Sequence, residues 1–181
     1  MISWHRFGAC PMTCPPMTER TFALPDEAAT HELAAQVAAA MDGGAVFHLD
    51  GELGAGKSSF ARALLQTLGV RGRIKSPTYS LVEHYPLERG EAWHLDLYRI
   101  ADPDELQWLG IDALAEPGAV VLVEWPERGE GAVPAPDLRL ALAYAGSGRV
   151  ARLSAHTPRG ERVLRRLDGD PGALAMGSAI R

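Results

Sequence analysis

Sulfhydryl groups are scarce: the 181 residues include only Cys10 and Cys14, both near the start. One such pair makes no disulfide framework, and without a second pair or companion histidines it makes no zinc site. The two read as free thiols on a loose tail, which fits a reducing cytoplasm. Basic charge is short as well. Eighteen Lys and Arg against 23 Asp and Glu leave a net charge of −5. That excludes the footprint of a protein that grips nucleic acid alone, so an RNA target would be met through a partner's positive surface. Long apolar runs are missing too. The longest, Ala119 to Val123, is strand length, whereas a membrane helix needs about 18 residues. No uninterrupted apolar stretch near the N-terminus marks a secretory leader.

What is present describes an ordinary folded protein, with 46% apolar and 23% charged residues. The length favours one domain with a real core. Pro- and Cys-containing residues 1–19 are expected to form a disordered extension, residues 20–168 the domain, and the Gly- and Ala-rich residues 169–181 a disordered tail. Met12 and Met17 are alternative starts, and Met17 is favoured because periodic sequence begins soon after it.

Periodicity gives the elements. Asp26 caps a predicted helix whose apolar positions, Ala29, Leu33, Val37, Ala40 and Met41, recur at helical spacing until Gly43-Gly44. AVFHLD, residues 45–50, reads as a buried strand, and residues 57–68 as a helix stopped by Gly69. Strands are predicted at 79–85 and 92–98, antiparallel across the turn Glu88-Arg89-Gly90. A short helix is predicted from Asp102-Pro103 to about Leu109. AVVLVEW, residues 119–125, reads as a central strand. LRLALAYA and RVARLSAH alternate about Gly146-Ser147-Gly148 and read as a hairpin, followed by a last helix over 158–167. The fold class is α/β, a mixed sheet of the phosphate-loop type with flanking helices and antiparallel additions.

Residues 51–58, GELGAGKS, match G-x-x-x-x-G-K-[ST] without a gap. Glycines let backbone amides approach a phosphate, the following helix adds its positive end, Lys57 reaches the β- and γ-phosphates, and Ser58 offers a hydroxyl to Mg²⁺. Average composition gives a chance match odds on the order of one in a hundred, and the strand before and helix after lower them further. A nucleoside triphosphate with Mg²⁺, ATP by preference, is the ligand this pattern predicts.

Such a site needs an acid at the end of a neighbouring strand. Glu124 ends the apolar run AVVLV, where a lone charge is costly. Asp96 alternates with Leu95 and Leu97 and so faces away from them. The bland alternatives are an exposed rim residue for Glu124, and for Asp96 a pairing with Arg99 or a place on a solvated face. Ser76-Pro77-Thr78 is either a γ-phosphate-sensing loop or an ordinary turn. Arg99 and Arg128 are weaker candidates for stabilising transferred charge. His48 and His94 read as structural, and Arg162, Arg165 and Arg166 as a solvated helix face.

In order and spacing, GELGAGKSSF, KSPTYSLVEHY, HLDLYRI and LVEWPERG resemble the TsaE (YjeE) family, and TFALPDEAATHELA resembles its opening segment. The resemblance spans about residues 20–157. It implies a bacterial, cytoplasmic ATPase that works with the TsaB–TsaD heterodimer to form N6-threonylcarbamoyladenosine next to the anticodon of tRNAs reading ANN codons. The group transfer itself would belong to TsaD, and tRNA would be reached only through the complex. Carried over by motif, Gly54, Ala55, Gly56, Lys57, Ser58 and Ser59 form the nucleotide cradle. Ser58 and Glu124 serve the metal, Lys57, Asp96 and Glu124 the reaction, Trp125 lies beside the site, and Glu27 lies near the bound nucleotide. The family often carries Thr-Thr where this chain has Ser58-Ser59, which keeps both hydroxyls. A small-molecule kinase sharing the loop and a binding module with incidental hydrolysis are the rival readings.

Overall fold

The computed structural model describes residues 18–102, 105–106, 114, 116 and 118–169. Its strands are β1 (Thr18–Leu24), β2 (Ala45–Gly51), β3 (Val82–Pro86), β4 (Glu91–Asp96), β5 (Val120–Glu124), β6 (Leu138–Ala145) and β7 (Gly148–Ala155). Its α-helices are α1 (Glu27–Ala40), α2 (Lys57–Thr67) and α3 (Pro158–Leu167). The strands form one sheet in the order β1-β7-β6-β2-β5-β4-β3. The central β6, β2, β5 and β4 pair in parallel, while β3 and the β7 and β1 strands pair antiparallel at the two sides. This is the mixed sheet with antiparallel additions that the sequence predicts.

Alternation along the strands divides the core. Phe47 and Leu49 of β2, Leu122 of β5, Leu140 and Leu142 of β6 and Leu153 of β7 meet Leu33 and Val37 of α1, Phe60, Leu64 and Leu65 of α2, and Val163 and Leu164 of α3. Leu95, Leu97, Val121 and Val123 point to the opposite face, where Ile100, Leu106 and Leu114 cover them. Both clusters are held by apolar surface taken out of water, each Å² contributing roughly 25 cal/mol.

Capping follows the sequence signals. Asp26 accepts the Ala29 amide at the start of α1, and Thr157 accepts the Gly160 amide at the start of α3. On α3, Arg166 binds the Ala40 carbonyl and Asp42, and Arg162 faces Asp42. Arg165 bonds Glu161 on its own helix. The basic cluster is therefore partly a clamp on the end of α1 and not merely a solvated face.

Three details differ from the sequence reading. β1 was not anticipated, and it includes Thr18 and Glu19 of the expected N-terminal extension. TERTFAL is short, and its strand is set by antiparallel pairing with Arg149 to Ala155 of β7. The strand expected from Tyr79 begins instead at Val82, because Ser76 to Leu81 fold into a turn closed by the Leu81 amide on the Pro77 carbonyl. The second strand expected in that hairpin stops at Asp96. The helix expected over 102–109 and both terminal segments fall largely outside the described residues.

Candidate nucleotide and metal site

β4 and β5 run in parallel, and their register sets Asp96 beside Glu124. Alternation sends His94, Asp96, Leu122 and Glu124 to the side on which α2 lies. β2 ends in the glycine-rich loop, where Gly54 (φ 76) and Gly56 (φ 110) adopt the left-handed conformation. The positive φ of Gly54 strains any residue with a Cβ, and that atom would also stand 2.9 Å from the Tyr144 hydroxyl. The α2 N-cap is Gly56, which provides no side-chain acceptor, so the helix's positive end faces a cavity of about 480 Å³.

Four expected site residues converge in that cavity: Lys57, Ser58, Asp96 and Glu124 all line it. The Lys57 ammonium donates to the carbonyls of Gly51 (2.6 Å) and Glu52 (3.0 Å) and lies 4.0 Å from the centre of the Trp125 ring. Burial pushes its pKa down, opposed by the nearby Glu124 and Asp96 carboxylates. The Ser58 hydroxyl donates to Glu124 Oε2 at 3.0 Å. His94 Nε2 lies 2.9 Å from Glu124 Oε1. Asp96 accepts from the Thr78 hydroxyl on Oδ2 and the Tyr98 amide on Oδ1, both at 3.1 Å. Asp96 and Glu124 are only 5% and 2% exposed, which sets aside the rim and solvated-face alternatives.

Ser76 bonds Thr78, which bonds Asp96, so the Ser76-Pro77-Thr78 turn touches the site. The strained Leu81 (φ 64) passes its carbonyl to the Asp96 amide, and Trp125, which follows Glu124, is also left-handed (φ 57). Glu27 also lines the cavity. Its carboxylate accepts from the Ser59 hydroxyl at 2.7 Å, a bond that holds its pKa down with help from His31.

Other candidates lie elsewhere. The Arg99 guanidinium stacks on Tyr79, and Arg128 approaches Tyr98 and bonds the Ile100 carbonyl; neither lines the cavity. His48 bonds the Pro134 carbonyl, and its burial pushes its pKa down to about 4. Arg62 and Arg149, which do line the cavity, escaped the sequence reading. Arg149 reaches the Gly54 carbonyl at 3.4 Å and stacks on Tyr144, whose hydroxyl donates to the Leu53 carbonyl. Only the fold brings this hairpin to the loop, so no local pattern marks these residues.

One hydroxyl and two carboxylates beside a lysine suit a hard divalent cation that keeps water and takes phosphate oxygens as further ligands. Among the described residues no group of three or more His, Cys, Asp or Glu side chains is placed to hold a metal ion by itself. Among the described residues, no helix is long and apolar enough to cross a membrane.

The model of the family described as "Threonylcarbamoyl adenosine biosynthesis protein TsaE" matches residues 24–152. The tRNA threonylcarbamoyladenosine biosynthesis protein TsaE of Haemophilus influenzae is 40% identical over 117 residues, 65% of this chain and 74% of that one. The protein of the same name from Bacillus subtilis is 34% identical over 65% of this chain and 73% of its own length. The crystal structure of Bacillus subtilis YdiB superposes with a TM-score of 0.70 at 26% identity, covering 84% of this chain and 95% of that one. The matched stretch is more than half of the chain and contains the loop, both buried carboxylates and Arg149, and on that ground the chain belongs to the TsaE family.

Proposed function

We propose that this chain is a Mg²⁺-dependent ATP hydrolase acting with TsaB and TsaD in the formation of threonylcarbamoyladenosine on tRNA. The observation that carries the reading is the convergence of Lys57, Ser58, Asp96 and Glu124 on one cavity at the open end of α2. The family relatives' names support the pathway, and the resemblance of the four sequence blocks supports the partners.

Each residue has a physical role in this reading. The amides of Gly54 to Ser59 and the end of α2 hold the triphosphate. Lys57, freed from the Gly51 and Glu52 carbonyls, spreads its charge over the β- and γ-phosphates. Ser58 and Glu124 would hold Mg²⁺ directly or through water, and the ion would supply positive charge to offset that of the phosphate oxygens. Asp96, fixed on both oxygens by Thr78 and the Tyr98 amide, orients the attacking water. Thr78 ties the 76–80 turn to that carboxylate, so the occupancy of the γ-phosphate position is relayed to the surface where a partner docks. Trp125, whose ring lies over the Lys57 ammonium, helps keep water from it.

Calorimetry with ATP at fixed Mg²⁺ tests the site: wild type binds, and Lys57→Ala loses binding and turnover. Unchanged hydrolysis in Lys57→Ala refutes the assignment. Binding to purified TsaB–TsaD, compared with ATP, ADP and a non-hydrolysable analogue, tests the partner. Full multiple-turnover tRNA modification by a hydrolysis-dead protein would refute the role of turnover.

A further inference from the structure

His94 is wholly buried on β4, two residues before Asp96, and it points to the same face. Its Nε2 lies 2.9 Å from Glu124 Oε1, and Glu124 is itself almost completely enclosed. The other ring nitrogen, Nδ1, is buried and has no hydrogen-bond partner among the described residues. From this geometry we infer that His94 is a positioning residue for Glu124, holding one carboxylate oxygen so that the other is presented to Ser58 and the metal. The inference rests on the metal-site reading given above.

The lone nitrogen decides the tautomer. With its proton on Nε2, the ring donates to Glu124 and leaves only a buried acceptor unsatisfied at Nδ1. A proton on Nδ1 would bury an N–H with no acceptor. It would also require Glu124 to be protonated, or else set two lone pairs against each other at 2.9 Å. The Nε2–H tautomer avoids both. It divides the work of the carboxylate: Oε1 takes the ring proton and Oε2 takes the Ser58 hydroxyl.

Ser58 is the weaker anchor of the two, because the same hydroxyl is wanted by the cation. When it turns to the metal, Glu124 loses that donor and keeps the one from His94. A ligating carboxylate held by a buried partner stays aimed, and removing such a partner weakens metal affinity by about 10- to 100-fold. His94 also shares its strand with Asp96, so the backbone that fixes the ring fixes the second carboxylate. Asp96 takes its own donors from Thr78 and the Tyr98 amide. The two acids are thus anchored separately, and Glu124 alone depends on the imidazole.

The test compares wild type, His94→Leu and His94→Gln. Calorimetry measures ADP affinity with and without magnesium, and nitrogen-15 NMR of the wild type reads the His94 tautomer without nucleotide. The NMR spectrum is expected to show the Nε2–H form. His94→Leu is expected to need about 10- to 100-fold more Mg²⁺ for half-maximal enhancement of binding, with magnesium-free ADP affinity unchanged. His94→Gln, which returns an N–H near the Nε2 position, is expected to recover most of the loss. Three results overturn the inference while leaving the site intact: an Nδ1–H ring, an unchanged Mg²⁺ requirement in His94→Leu, or a His94→Gln protein as impaired as His94→Leu. A wild-type protein that binds no nucleotide at any magnesium concentration overturns the functional reading, and this inference with it.

Discussion

The parallel centre of the sheet and its antiparallel β6–β7–β1 wing handle charge in opposite ways. On the wing side, carboxylates meet arginines: Glu19 pairs with Arg152, Asp137 with Arg159, and Asp168 with Arg20, and Asp50 pairs with Arg139 where the centre meets the wing. At the ends of β4 and β5, Asp96 and Glu124 are more deeply enclosed, yet among the described residues neither forms an ion pair with an arginine or lysine. They are held by hydroxyls, an amide and an imidazole. A buried anion is costly unless compensated. Neutral donors can fix its position without cancelling its charge, and a charge left in place is what a cation site requires. The acids of the wing side hold the architecture through ion pairs, whereas those of the centre keep an uncancelled charge, as the proposed cation site would need.

The strongest way to break this contrast is Glu124→Gln. The amide retains the shape and a partner for Ser58 but loses the charge. ATP hydrolysis should fall on the order of 100-fold or more, with the melting temperature held or raised. Steady-state assays and calorimetric melting on the same sample check both halves. A variant that loses stability and keeps its rate would mark Glu124 as a wing-type residue.

His48 sharpens the comparison, being a titratable group of the centre outside the site. Its pKa is about 4 in the folded protein because of burial and near 6.5 when unfolded. Between those values the unfolded chain binds a proton that the folded chain refuses. Its contribution is therefore complete above about pH 6.5, falls as pH drops toward 4, and levels off below that. The full span is about 3 kcal/mol. Denaturant unfolding across this range should show the slope, and His48→Gln should remove that part of it.

Asp137→Ala tests the joint between wing and centre. It removes the acceptor for the Val46 amide and for the Thr157 hydroxyl. A stability loss of about 2 kcal/mol is expected, with an unchanged hydrolysis rate per folded molecule. Tyr144→Phe is the mildest probe. It deletes the hydroxyl that binds the Leu53 carbonyl, and about 1 kcal/mol of stability or a few-fold change in nucleotide affinity is expected. Urea titrations and calorimetry read both variants.

The sequence was most legible where chemistry and chain neighbourhood coincide. The loop at 51–58 carries its glycines, lysine and serine together, and α1, α2, α3 and the β6–β7 hairpin announce themselves by period and by turn residues. Asp96 and Glu124 were legible because a lone acid among apolar neighbours needs an explanation. Arg149 and Tyr144 were not, since an alternating hairpin looks the same whether or not its tip leans on a loop some ninety residues earlier. His94 was assigned to structure because nothing local distinguishes a core imidazole from one bonded to a carboxylate on another strand. β1 was missed for the same reason: its partner, β7, lies near the far end of the chain.

That last pairing has a consequence for biosynthesis. Thr18 is matched with Ala155, and Leu24, the last residue of β1, forms part of the cavity wall beside Pro25 and Asp26. A ribosome emits the first strand long before the hairpin that receives it, so this wall closes only after Arg149, the partner of Leu24, has emerged. Nascent or clipped chains that stop short of β7 contain the entire glycine-rich loop, yet leave the pocket without one side. The pocket is thus completed by the last strands to be made, and its closure reports that the chain has been synthesised as far as β7.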